Sequence, residues 1–114
     1  MGKVGIQLQM EPLRSLVFSD LLDTYSLGIG TSIDNPARMY EIHNLTNALL
    51  IFSLDGVSDH FPLPANSCKV IDIVSNKTSD EGWYIPKGTR FYARYIAGTV
   101  PTSGTVYVAI SYGN

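Results

Sequence analysis

Residues 37–63 read ARMYEIHNLTNALLIFSLDGVSDHFPL, and the order of apolar and turn residues in this stretch decides the fold. From residue 37 to 45 one set of alternate positions is Ala37, Met39, Glu41, His43 and Leu45. The other is Arg38, Tyr40, Ile42 and Asn44, the imperfect alternation of an extended chain. Residues 48–54, ALLIFSL, are almost unbroken apolar, as expected of a strand covered on both faces or crossing the middle of a sandwich. Asp55-Gly56 then interrupts the run. Glycine takes positive φ at little steric cost and aspartate tolerates it, so a hairpin is expected at residues 55–59, returning through residues 60–63.

The flanking sequence repeats the same grammar. Residues 13–18 form a first strand, and residues 19–23 either close a short helical turn capped by Ser19 or Asp20 or bend between strands. Residues 25–29 make a second short extended piece, and Gly28, Gly30 and Asn35-Pro36 punctuate the loop into the central hairpin. Pro64-Ala65-Asn66-Ser67 is a turn, and residues 68–74 are β-branched enough for a strand. Residues 75–82, SNKTSDEG, are the most polar segment and read as an exposed loop. Pro86-Lys87-Gly88-Thr89 has the proline and glycine of a type II turn. In residues 90–97, Phe91, Ala93 and Tyr95 alternate with Arg90, Tyr92, Arg94 and Ile96. A turn cluster at residues 98–104 precedes a last strand in which Val106, Val108 and Ile110 oppose Tyr107, Ala109 and Ser111. Short strands at this spacing predict an all-β antiparallel sandwich or jelly roll of roughly eight strands.

At 114 residues the chain fits one domain. We divide it into an N-terminal arm, residues 1–12, and a β-sandwich domain, residues 13–114. Only 16% of residues are charged against 45% hydrophobic, a low charge for a free monomer and a pointer to assembly as a homo-oligomer. A net charge of −2 without a basic cluster argues against nucleic acid and membrane surfaces as partners. The N-terminus lacks the apolar run of a signal peptide and Ile6 breaks a myristoylation motif, so synthesis in the cytoplasm is expected. Cys68 is the only cysteine, which rules out an intramolecular disulfide; a buried, inert thiol is the expectation.

The candidate chemistry is thin. Asp55, Asp59 and His60 invite a metal, but the segment lacks a calcium-loop register, and His43 and His60 have no zinc spacing. Gly28-Ile29-Gly30-Thr31 lacks the Lys-Ser/Thr ending of a phosphate loop. No Gly-x-Ser-x-Gly elbow occurs, so no catalytic residue, cofactor or metal is assigned, and the chain is read as no enzyme. Asn44-Leu45-Thr46 and Asn76-Lys77-Thr78 match the glycosylation pattern, but turn chemistry is their simpler role. Trp83, Tyr84, Tyr92, Tyr95, Tyr107 and Tyr112 crowd the last third, where they serve core and interface better than sugar stacking. The arm places Val4, Ile6, Leu8 and Met10 on one side of an extended chain, the pattern of an added edge strand that pairs either within its own sandwich or with a neighbouring subunit. Interface residues are therefore expected at Val4, Ile6, Leu8, Met10, Trp83 and Tyr84, with the arm and residues 75–82 at subunit contacts.

The loop Gly28-Ile29-Gly30-Thr31, then Asn35-Pro36-Ala37-Arg38, Asn44-Leu45-Thr46, Phe52-Ser53-Leu54-Asp55-Gly56 and residues 101–108, PTSGTVYV, resemble small structural proteins of tailed bacteriophages over residues 13–112. The resemblance implies a β-sandwich or jelly-roll virion component used in many copies and doing no chemistry. It implies a capsid decoration (cement) protein clamping neighbouring subunits on the major capsid protein, or else a head–tail connector or tail component, located in the virion. A lectin-like carbohydrate-binding module is the further alternative.

Overall fold

The computed structural model describes residues 8–72 and 85–113. The described chain is all β, with eight strands in two antiparallel sheets. They are β1 (Leu8–Met10), β2 (Arg14–Val17), β3 (Ala37–Asn44), β4 (Leu50–Ser53), β5 (Phe61–Leu63), β6 (Ser67–Asp72), β7 (Tyr92–Tyr95) and β8 (Thr105–Gly113). In the larger sheet β1 and β2 lie end to end along one side of β8, β3 lies on the other side, and β6 lies outside β3. The smaller sheet runs β5-β4-β7. Residues 22–29 follow the far side of β7, through Tyr95 N–H to the Leu22 carbonyl (3.0 Å), a bridge of Gly28 to Tyr92, and Ile29 N–H to the Phe91 carbonyl (2.7 Å). Counting that strap as a strand and β1 and β2 together as one, the chain alternates between layers in jelly-roll order, returning to the same layer only at the β4–β5 hairpin.

Period-two burial sets the core. Tyr40, Ile42 and Asn44 of β3 and Val106, Val108 and Ile110 of β8 face Leu50, Phe52, Leu63 and Ala93 of the smaller sheet, all buried. Phe52 stacks on Phe61 at 5.5 Å between ring centroids, and Tyr40 meets Phe91 across the layers at 5.3 Å. A fully buried side chain such as Phe52 contributes about 2–3 kcal/mol of transfer free energy. The hairpin predicted at residues 55–59 joins β4 to β5, with Phe52 paired to Phe61 and Gly56 at φ 76. The helical turn is a 3-10 turn at Phe18–Asp20, earlier than expected, and Ser19 and Asp20 lie inside it rather than capping it: it follows Val17 with no side-chain cap. Gly88 takes φ 93 in the turn closed by Thr89 N–H on the Pro86 carbonyl (3.2 Å).

One burial reading changes. Cys68 is exposed rather than buried. In β6, Lys69 and Ile71 pair with the inward Ile42 and Tyr40, so Cys68 pairs with the outward His43. Lys69 lies on the covered side because its ammonium sits over the Phe61 ring, 5.3 Å from the centroid. A β-branched run fixes a strand, but not which parity faces in. The described part of the arm takes one of the two pairings open to it: β1 pairs with β8 of its own chain, and Glu11 is buried.

Candidate functional site

Three places gather chemistry-bearing side chains. The first is the outer face of the larger sheet. It carries Met10 of β1, Ser15 and Val17 of β2, Met39, Glu41 and His43 of β3, Cys68 and Val70 of β6, and Tyr107 and Ala109 of β8. Met10, Val17 and Val70 are 58%, 40% and 54% exposed, an apolar surface on a face that in an isolated sandwich carries polar residues. Its described charges meet in one pair, His43 Nε2 to Glu41 Oε1 at 3.0 Å. Thiol, imidazole and carboxylate thus stand near one another in Cys68, His43 and Glu41, a grouping created by register across β3 and β6 and invisible in the sequence. The row lies on an exposed face rather than in a cleft, and among the described residues no hydrogen bond joins Cys68 to His43.

The second place is the outer side of the smaller sheet. The Tyr25 hydroxyl donates to Asp59 Oδ1 (2.5 Å), and Arg94 donates to the same carboxylate through Nε (3.2 Å) and a terminal nitrogen (2.8 Å). The Arg94 guanidinium lies over Tyr25 and that of Arg90 over Tyr92, each 5.8 Å from the ring centroid, while the two tyrosines meet edge to face at 6.3 Å. Arg94 and Tyr25 hold the Asp59 carboxyl below the ordinary carboxylate range, Arg94 having the larger effect. Burial first and Asp59 second push the Tyr25 phenol up to about 12. Sequence alternation shows that Arg90, Tyr92 and Arg94 share a face. Their partners Tyr25 and Asp59 lie far away in the chain and carry no local signal.

The third is the β4–β5 tip. Asp55 Oδ1 accepts Ser58 N–H (2.9 Å), Val57 N–H (2.8 Å) and the Ser53 hydroxyl (2.8 Å), which pull its pKa down to about 2, the backbone donors most strongly. His60 Nδ1 accepts Leu54 N–H at 3.0 Å. The carboxylates that invited a metal are therefore engaged by turn amides in one case and by Arg94 and Tyr25 in the other. Among the described residues no group of three or more potential ligands is arranged around a metal position. The Gly28-Ile29-Gly30-Thr31 loop offers carbonyls to cations: Arg90 Nε donates to Gly30 (2.7 Å) and Arg14 Nε to Thr31 (2.8 Å).

Of the predicted interface residues, Met10 lies on the outer face and Leu8 in β1 beside β8. Val4, Ile6, Trp83 and Tyr84 lie outside the described residues, as do residues 75–82 and the Asn76-Lys77-Thr78 pattern. In Asn44-Leu45-Thr46, Asn44 is fully buried, its amide nitrogen donating to the Ala48, Leu63 and Pro64 carbonyls (3.0, 2.9 and 3.1 Å) and its oxygen accepting the Thr46 hydroxyl (2.6 Å). The motif is turn and core chemistry. No helix among the described residues is long and apolar enough to cross a membrane. No protein-family model, no curated protein and no solved structure matches the chain.

Proposed function

We propose that this chain is a non-enzymatic structural subunit of a tailed-phage virion, a capsid decoration protein that docks on neighbouring subunits. The observation that carries the reading is the apolar outer face of the larger sheet, where, among the described residues, the exposed Met10, Val17 and Val70 and the half-buried Tyr107 and Ala109 accompany the Glu41–His43 pair. A patch of that composition on a rigid sheet is what a protein partner covers. The jelly-roll order is consistent with it, being common among capsid domains, but the same order serves lectins, so the fold alone does not decide. A neck or tail position would use the same face. The Tyr25–Tyr92–Arg94–Asp59 cluster favours sugar binding as the second reading. It ranks lower because Asp59 and Tyr25 already satisfy each other and Arg94.

The test is particle incorporation. Tagged chain produced in an infected host should band with purified virions, while Ala109→Lys, placed in the middle of the face, should fold normally yet bind particles at least about tenfold more weakly, equivalent to roughly 1.4 kcal/mol of docking free energy. Wild-type chain left wholly in the particle-free fraction would sink the proposal. A glycan array read with the wild type should be blank, and binding lost in Tyr92→Ala would establish the second reading in its place.

A further inference from the structure

The four lateral edges of the sandwich are not equally protected. At the smaller sheet, β7 is covered by residues 22–29, and β5 is three residues long with Pro62, which has no N–H to offer, at its centre. At the larger sheet, the outer strand beside β8 is broken into β1 and β2 around Pro12. The fourth edge, β6, is six residues long, has no proline, and runs in unbroken register with β3. Among the described residues nothing pairs with its far side. Its one described inward charge, Lys69, is of a type that commonly blunts such edges, but its ammonium is drawn over the Phe61 ring, which leaves the backbone of β6 a template for another strand.

We propose that β6 pairs with β6 of a second copy, antiparallel about a twofold axis at Val70, so that two larger sheets become one continuous sheet. Any antiparallel partner strand would satisfy the backbone; a second copy can also match β6 side chain to side chain, best in the register centred on Val70. Symmetric pairing places residue i opposite a residue j of the other chain with i + j constant, and paired residues share a face. Centring on Val70 sets the exposed Val70 against its own copy and Lys69 against Ile71, on the side where Lys69 already rests over Phe61. Centring one residue earlier would oppose two Lys69 ammoniums, an unfavourable like-charge cross-strand pair. Centring on Cys68 would bring Ser67 against Lys69 and leave Val70 against Asn66, which sits at φ 55 in the turn before β6 and is not shaped to continue a ladder. The pairing would also join the two apolar outer faces into one wider surface, though it does not rest on the virion reading.

The experiment uses the full chain. Sedimentation equilibrium should show a reversible dimer of the 12.5 kDa chain. Val70→Lys, at an exposed position that leaves folding intact, should weaken the dimer at least about tenfold. In the double variant Cys68→Ser/Val70→Cys, mild oxidation of the native protein should give a disulfide-linked dimer, the oxidant taking two electrons and the two thiols releasing two protons. The wild type, whose Cys68 faces position 72 of the other chain, should not cross-link. A monomer at every concentration, an unchanged dimer in Val70→Lys, or efficient cross-linking through Cys68 would each overturn the proposal.

Discussion

Asn44 bridges the two layers at the point where the chain leaves β3 for the smaller sheet, and its partners include the Leu63 and Pro64 carbonyls, where β5 ends and the turn to β6 begins. Replacing it by alanine strands buried carbonyls and opens a small void. Asn44→Ala should therefore cost about 2–4 kcal/mol, read as a lower urea midpoint at unchanged slope. Glu11 has a comparable role at the other end of the loop it ties down. Its carboxylate accepts Asn35 Nδ2 (2.9 Å), the Asp34 (3.0 Å) and Asn35 (2.8 Å) amides and Arg14 (2.8 Å), and Arg14 in turn holds the Thr31 and Ser32 carbonyls. Burial pushes the Glu11 carboxyl up, but these donors outweigh it and leave the pKa below its ordinary value. A depressed carboxylate contributes stability that is complete above its unfolded-state pKa and is lost as pH falls through the folded one. The contribution should fall away as pH drops through and below the ordinary carboxylate range, so Glu11→Gln should flatten the acid limb of a stability profile. At neutral pH it should cost on the order of 3 kcal/mol, because Arg14 keeps its charge in a buried site without a counter-charge. An acid limb as steep in the variant as in the wild type would show that other groups govern it.

At the scale of elements, the turns divide into those that touch something and those that do not. Gly104 lies at φ 98 where the chain enters β8, and a Cβ there would stand 2.0 Å from the Leu45 carbonyl oxygen, a backbone atom that cannot yield cheaply. Gly98, at φ 90, has open space around the same position. Both alanine variants are strained by the positive φ, which costs about 1–2 kcal/mol. Only Gly104→Ala adds the clash, so its loss of melting temperature should be the larger by a clear margin, and equal losses would mean that the close approach of residues 45 and 104 contributes nothing. The sequence marked both glycines as turns. It could not rank them, because the rank depends on a loop almost sixty positions away along the chain.

For the whole molecule, the sequence by itself determined the all-β class, the β4–β5 hairpin and nearly every strand. These depend on local facts: period-two patterning in residues 37–44 and 105–112, and turn residues with access to positive φ at Gly56 and Gly88. It also separated the two sets of β8, Val106, Val108 and Ile110 against Tyr107, Ala109 and Ser111, and the structure turns the aliphatic set inward. Where both parities were equally plausible, as in β6 with Cys68-Lys69-Val70-Ile71, only the tertiary structure decided, through pairing with β3 and the seat that Phe61 offers Lys69. The same holds for Asp59 with Tyr25 and Arg94, for Glu11 with residues 34 and 35, and for the exposed β6 edge. Each is a product of which strands become neighbours, and strand order is set by the burial of all the apolar faces together rather than by any segment's own pattern.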